Sequence, residues 1–294
     1  MKIAVVDSHF LCYRALFTTG HFEHQGQKTG VVYGFLNQVL TMASKVLPDI
    51  VVFAWDSPVS KRREIRPEYK RRNDHNYLTE QEQAEKQENY RQFNLLRKTL
   101  PRLGFPNVFI QEGFEADDLI AKIVMDERYS EHEFTVVSGD DDLLQLLDYC
   151  EIFYLSNVGK SNTPVWKNRD WFTRKYEIAP REWVKVKQIG GCKSDNVTGI
   201  KGVGEKKAIQ YLRGLMKPSS KIYKRIQSFE SQQLINENRE LVKLPFEGTA
   251  GVKLDLVETR VDMKALIQFC KKLGIRRLVS LDKQDEWEAF LNGV

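Results

Sequence analysis

Four cysteines in 294 residues, Cys12, Cys150, Cys192 and Cys270, give no C-x-x-C pair and no close spacing of any kind. A disulfide framework is therefore not expected, and neither is a structural zinc site at His21 and His24, which have no cysteine pair to complete four ligands. The thiols read as buried or incidental. No apolar run approaches the ~18 residues of a membrane-spanning helix. The opening Met-Lys-Ile-Ala-Val-Val-Asp7 puts a carboxylate where a signal peptide has its apolar stretch, so a cytoplasmic location away from any membrane is expected. Internal repeats are absent, and the one biased segment is a short Glu/Gln run after residue 79. Hydrophobic residues at 41% and charged residues at 29% exclude a disordered tail or a fibre. The length suits one large domain or two.

Large net charge is also missing: 45 Lys/Arg against 40 Asp/Glu leaves only +5. What the sequence has instead is segregation. Residues 61–72 hold seven Lys/Arg against two acids, and 217–225 hold four against none, whereas 112–118 and 140–142 are acidic. A chain that separates its charge in this way suits holding a polyanion and a cation together.

The first half alternates short β-branched runs (Lys2–Val6, Ile50–Trp55, Phe134–Val137) with helix-period segments (Val31–Val46, Leu119–Asp126). This pattern predicts a doubly wound, mainly parallel α/β sheet. Residues 60–100 form a charged excursion. Residues 79–100 read as a helix whose apolar stripe is Tyr90, Phe93, Leu96 and Leu100, ended or kinked by Pro101. After about residue 178 the chain turns helical and glycine-punctuated, predicting an α/β domain over 1–177 and a helical domain over 178–294.

Asp7, Asp56 and Asp140 each follow a predicted strand, where ligands bind in open parallel sheets. Glu115, Asp117 and Asp118 sit at the start of the Leu119 helix, and Asp142 follows Asp140 by two. Singly these are capping or turn acids. Gathered on one sheet edge they repel one another unless a multivalent cation neutralises them. All-oxygen donors suit Mg2+ or Mn2+, and their number suits two ions acting on a phosphodiester.

Gly199-Ile-Lys201-Gly202-Val-Gly204-Glu-Lys206-Lys207 opens a basic helix. Glycines there let a phosphate reach backbone N–H groups, and Lys193, Lys201, Lys206 and Lys207 supply charge for sequence-independent DNA backbone binding. The tract Arg62, Arg63, Arg66, Lys70, Arg71 and Arg72 lies between acidic candidates in sequence. It is placed to stabilise phosphate charge, with Tyr69 free to stack on an unpaired base.

These segments together resemble the 5′-nuclease (flap endonuclease) family, which includes the 5′–3′ exonuclease domain of bacterial DNA polymerase I and stand-alone phage 5′-exonucleases. The matching stretches are Val-Val-Asp7, Tyr33-Gly-Phe35, Phe53-Ala-Trp-Asp56, Arg62 to Lys70, Gly113-Phe-Glu115-Ala-Asp117-Asp118, Ser138-Gly-Asp140-Asp-Asp142, Lys193-Ser-Asp195-Asn196 through Gly204-Glu-Lys206, and Asn238 to Pro245. The resemblance implies a PIN-like core with a helical arch over about 60–100 and a helix-three-turn-helix over 199–207. It implies a divalent-metal-dependent nuclease, monomeric and without an attached polymerase, acting on flaps, nicked duplexes or RNA-primed DNA in a bacterial cell or phage-infected host. By position, Asp7, Asp56, Glu115, Asp117 and Asp118 would hold a first metal, and Asp140, Asp142 and Asp195 a second. Lys70 and Arg62 would contact the scissile phosphate. Tyr69, Arg71, Arg72, Lys193, Lys201, Gly202, Gly204, Lys206 and Lys207 would meet DNA, with K+ a further ion at the helix-three-turn-helix.

Two positions depart from the family pattern. Cys192 stands where an acid of the second site is usual, and a thiol is a poor Mg2+ ligand. Asn73 stands where an arginine is common, a place that Arg71 or Arg72 can take. The first departure leaves a rival reading, a flap-binding protein with weakened cleavage. A PIN-type nuclease acting on structured RNA is a third.

Overall fold

The β-branched runs pair into a sheet buried on both faces, as their near-continuous apolar character requires. In chain order the computed structural model has β1 (Lys2–Asp7), α1 (Ser8–Thr19), the hairpin β2 (Glu23–His24) and β3 (Gln27–Lys28), α2 (Gly30–Val46), β4 (Ile50–Trp55) and the single turn α3 (Arg62–Ile65). Next come α4 (Glu80–Thr99), β5 (Asn107–Ile110), α5 (Ala116–Val124), β6 (Glu133–Val137), β7 (Glu151–Ser156), β8 (Thr163–Lys167), α6 (Arg169–Tyr176) and α7 (Trp183–Gly190). The hairpin β9 (Gly191–Cys192) and β10 (Val197–Thr198) leads to α8 (Glu205–Leu212), α9 (Lys221–Ile226), α10 (Phe229–Val242), α11 (Met263–Lys272) and α12 (Leu281–Asn292). The structure describes residues 1–71, 79–156, 163–251 and 254–292, so Arg72 and Asn73 lie outside the described residues.

Strand order is β5-β4-β1-β6-β7-β8, with every pair parallel except β7–β8. Because β1 lies between β4 and β6, the chain winds away from it in both directions. That switch point opens a crevice beyond the carboxyl ends of the strands. Strand alternation divides the core. Ala4, Val6, Phe53 and Trp55 pack on one face against α1, α2 and the end of α4, while Ile3, Val5, Val52 and Ala54 pack on the other against α5.

The expected boundary near residue 178 does not coincide with a break in this core. Trp183, Val186 and Ile209 join the α5 face, whereas Leu266, Cys270, Leu278 and Trp287 join the opposite face beside α2. The C-terminal residues cross from one side of the sheet to the other and complete both cores. The excursion helix α4 starts with a capping box from Thr79 and Glu82 and ends at Thr99, with Pro101 in a following 3-10 turn. Phe93, Leu96 and Leu100 are buried as the stripe predicts, but Tyr90 is exposed, because burial begins only in the helix's second half.

Candidate active site

Three strands deliver carboxylates to one crevice, and local chemistry fixes each. Asp7 ends β1 and caps α1, its Oδ1 accepting from the Phe10 N–H at 3.0 Å and its Oδ2 from the Ser138 hydroxyl at 2.9 Å. Asp56, just past β4, accepts from the Ala116 N–H at 2.8 Å, which ties it to the start of α5. The Asp56 N–H donates to His9 Nδ1 at 3.1 Å, so His9 faces the acid as a neutral ring, and burial lowers its pKa. Asp140, past β6, caps the 3-10 turn that carries Asp142.

The electrostatics of this crevice are strained. Burial, then the charge of Asp56, pushes Asp7 up to about 7. Burial, then Asp140 and Asp7, holds Asp117 well above the carboxylate range, and burial with Asp142 raises Asp140. Asp195 is raised to about 6, chiefly by burial, against the opposing pull of Lys70. The carboxylates of Asp117 and Asp195 accept no hydrogen bond from any described residue. Such a set must either hold protons or gather a cation, and hard oxygen donors fit a divalent ion.

Glu115 differs. Its Oε2 accepts from Lys70 Nζ at 2.8 Å and from the Tyr69 hydroxyl at 3.2 Å, and its Oε1 accepts from Ser60 at 3.2 Å. Burial opposes its ionisation, but Lys70 and Arg62 overcome that and lower its pKa. Lys70 adopts φ +49° and keeps its side chain 38% exposed at the cleft.

Three expectations need correction. Asp118 is fully buried and its oxygens are all engaged. Arg62 grips both at 2.6 and 2.7 Å, and the N–H groups of Glu115 and Phe246 donate at 3.0 and 2.8 Å, so it is no metal ligand here. Arg62 is equally committed, with Nε donating to the Leu241 carbonyl at 2.9 Å and 2% exposure. It cannot reach a phosphate without breaking that buried pair. Tyr69 is 3% exposed and packs with Val197, Leu241 and Val242, which leaves no face for a base to stack on. A basic run looks alike in sequence whether its members face solvent or core.

The second acidic group uses short pieces of chain. Asp142, Cys192 and Asp195 bring donor atoms within 4.8 Å of one another. Cys192 opens the β9–β10 hairpin and Asp195 sits in its turn, where the Asp195 N–H donates to the Cys192 carbonyl at 3.3 Å. Burial, then Asp142, raises the thiol to about 11. Asn196, at φ +57°, donates to the Glu68 and Arg71 carbonyls at 3.0 and 2.7 Å, and the Lys70 N–H donates to the Asp195 carbonyl at 2.9 Å. The hairpin and the segment carrying Lys70 are thus fastened together. Buried Asn238, on α10, braces the same region by donating to the Gln188 and Thr198 carbonyls and accepting from Arg66.

Sequence reasoning missed Lys187, whose Nζ lies 2.6 Å from Asp142 Oδ1. Its signal was a lysine on the helix that leads into the Gly-Cys192 hairpin. Ser138, His9 and Asn196 were also missed as supports. Asp141 turns away, paired with Lys167 at 2.8 Å.

Lys193, Lys201, Gly204, Lys206, Lys207 and Arg71 are exposed. A Cβ at Gly204 would meet nothing within 4 Å, so open space fronts the first N–H groups of α8. Gly202 needs its φ of +78°, whereas Gly199 is a packing glycine whose Cβ would strike Gly190. The carbonyls of Lys201 and Gly202 already accept from Arg225 and Lys207, both at 2.7 Å.

Residues 2–177 match the family model described as 5′-3′ exonuclease, N-terminal resolvase-like domain. The chain is 32% identical over 218 residues to a 5′-3′ exonuclease of Bacillus subtilis, covering 72% of this chain and 70% of that protein. It is also 32% identical over 215 residues to the thermostable DNA polymerase I of Thermus thermophilus, covering 72% of this chain but only 24% of that much longer protein. Among solved structures, the T5 D15 protein co-crystallised with metal ions superposes with TM-score 0.69 at 19% identity, covering 99% of this chain and all of the other. Flap endonuclease-1 from Methanococcus jannaschii superposes with TM-score 0.57 at 14% identity, covering 99% and 92%. Both share the fold of the sheet and helices described above.

Proposed function

The chain belongs to the 5′–3′ exonuclease family, and from that premise we propose that it is a structure-specific 5′ nuclease hydrolysing phosphodiester bonds in branched or 5′-ended DNA. Its substrates would be flaps, nicked duplexes and RNA-primed ends, and its work replication or repair. The observation that carries this reading is the crevice at the sheet's switch point, where Asp7, Asp56, Asp117, Asp140, Asp142 and Asp195 crowd around Lys70 without enough donors to neutralise them.

In this reading two divalent ions, Mg2+ or Mn2+, when bound would supply Lewis-acid chemistry for phosphodiester hydrolysis. Asp7, Asp56, Glu115 and Asp117 would hold one, and Asp140, Asp142 and Asp195 the other. Lys70, partly exposed at the cleft mouth and paired with Glu115, offsets charge on the scissile phosphate. Arg62 acts from behind, holding Asp118 and so the start of α5 on which Glu115 and Asp117 depend. Duplex phosphates would sit over Gly204 against the N–H groups of α8, with Lys193, Lys201 and Lys206 around them. A K+ ion does not fit well at this turn, because Lys207 and Arg225 already occupy the carbonyls of Gly202 and Lys201 with their own positive charge.

The test is cleavage of a 5′-labelled DNA flap, a nicked duplex and a structured RNA over a range of Mg2+ and Mn2+. Release of 5′ products from flap or nick, steeply weakened by salt, is expected. Tight flap binding with no cleavage in either metal would overturn the reading in favour of a binding protein. Cleavage of the structured RNA alone would overturn it in favour of an RNA nuclease.

A further inference from the structure

We propose that Asp142, Cys192 and Asp195 form a mixed carboxylate–thiolate cation site that takes a divalent ion of the Mn2+ to Zn2+ series in preference to Mg2+. The proposal rests on the nuclease reading for the site's place beside the scissile phosphate, but its metal chemistry stands on these residues alone.

The donor atoms of the three residues lie within 4.8 Å of one another. A borderline metal binds sulfur at about 2.3 Å and carboxylate oxygen at about 2.1 Å, so donors at tetrahedral angles around one ion stand roughly 3.5 Å apart. Closing the site asks for movements of about an ångström by side chains. The backbone beneath them is already fixed. Cys192 pairs with Val197 across the hairpin, and the turn between them is clipped to the Lys70 segment by Asn196.

Asp195 supplies an independent sign of a missing partner. It is only 8% exposed, and its carboxylate accepts no hydrogen bond from any described residue. A largely buried acid with no donor from the described residues is well placed to take a cation. The Lys187 ammonium already lies against Asp142, so one positive charge is present at the rim but does not reach Asp195 as a hydrogen-bond donor. Among the described residues the thiol's one hydrogen bond is with the Ser194 hydroxyl at 3.0 Å, a weak partner that a metal bond would replace.

The donor set then decides the ion. Mg2+ requires oxygen ligands in near-ideal octahedral geometry and holds its waters. Thiolate softness instead favours ions later in the first-row series. The other cysteines do not compete, since Cys12, Cys150 and Cys270 are buried within the two sheet-face cores. A thiol that merely fills space beside Tyr69 and Val197 would give none of this behaviour.

The experiment titrates the 294-residue protein, without DNA, with Co2+ while recording near-ultraviolet absorption, and with Mn2+ and Mg2+ by calorimetry. A sulfur-to-cobalt charge-transfer band is expected in the parent and should vanish in Cys192→Ser and Cys192→Asp. The Mn2+ over Mg2+ affinity ratio should fall by about tenfold or more in Cys192→Asp, where oxygen replaces sulfur. Saturation with Co2+ without the band, a band that survives Cys192→Ser, or an unchanged ratio in Cys192→Asp would each overturn the proposal. Cys192→Ser removes the sulfur with little change in volume and carries the test should the aspartate variant fold poorly. No readout depends on cleavage, so a protein that shows the band but cuts no DNA refutes the nuclease reading and leaves this site intact.

Discussion

Asp7, Asp56 and Glu115 are held by strand ends and by the first turns of two helices, whereas Asp142, Cys192 and Asp195 are held by a 3-10 turn and a hairpin of two-residue strands. The first group is part of the parallel sheet: shifting any of its carboxylates means disturbing buried β1 or β4 or the start of α5. The second group leans on side-chain props, Lys187 against Asp142 and Asn196 against the Lys70 segment. The contrast teaches that one acidic cleft can combine a half set by architecture and a half set by local contacts. The locally set half is the one that carries a thiol, Cys192, among its candidate donors.

The comparison breaks first on activity. Asp117→Asn should lower the single-turnover rate of flap cleavage by on the order of a thousandfold, since a divalent ion's charge stabilisation is worth several kcal/mol and each tenfold costs about 1.4. Asp142→Asn should cost only about ten- to a hundredfold, because Lys187 still brings charge to that side. Equal losses in quench-flow measurements would show that the two halves act as one unit.

Stability should separate neighbours that look identical in sequence. Asp118→Ala strands the buried Arg62 guanidinium and is expected to cost about 3–5 kcal/mol in urea unfolding. Asp117→Ala should leave the metal-free protein no less stable, since it removes a carboxyl that burial and Asp140 already hold well above its usual range. A metal-ligand role for Asp118 would instead leave stability alone and abolish cleavage.

The two aspartates show where sequence reading reaches its limit. Glu115, Asp117 and Asp118 fall on one helical turn, so periodicity places all three near the cleft but cannot say which one faces inward. That is settled by Arg62, 56 residues away in sequence, and by the Phe246 N–H from beyond α10. Strand-end acids were legible because apolar β-branched runs mark their strands and the parallel order sends every such end to one edge. Tyr69 and Arg62 were misread for the opposite reason: their run is charged, and only tertiary packing reveals that alternate members point into protein. The crossing of the C-terminal residues to the far face was equally invisible, because α11's amphipathic stripe does not name the surface that it covers.

Titration should sharpen the contrast further. Asp7 and Asp195 have folded pKa values raised to about 7 and about 6, so the native state holds their protons more tightly than the unfolded chain does. The stability they contribute is present below the ordinary value of 3.8 and is lost as pH rises through the folded values. In EDTA, the melting temperature of the parent should fall with pH relative to Asp7→Asn until about pH 7, and relative to Asp195→Asn until about pH 6. Saturating Mn2+ should reverse the trend, since ionised carboxylates bind it and its stabilisation grows with pH. Parallel melting curves for parent and variants in EDTA would mean that neither carboxyl is strained.

The smallest effect is expected at Asn196, and it is the most direct probe of the locally built half. Its φ of +57° and its two bonds to the Glu68 and Arg71 carbonyls join the hairpin of Cys192 and Asp195 to the segment that carries Lys70. Asn196→Gly keeps the left-handed turn accessible and removes only the clip, so global stability should drop by about 1–2 kcal/mol, the worth of two exposed hydrogen bonds plus glycine's entropy. If the clip positions the second acidic group, the same variant should weaken Mn2+ affinity measured by calorimetry by a fewfold while Asp117-dependent binding is unchanged. Asn196→Asp offers the conservative control. Its side chain has no N–H to donate, so it should lose the clip as fully as glycine does while retaining a side chain that tolerates the turn. Matching losses in the two variants would locate the effect in the donated hydrogen bonds, and a loss confined to glycine would locate it in backbone freedom instead.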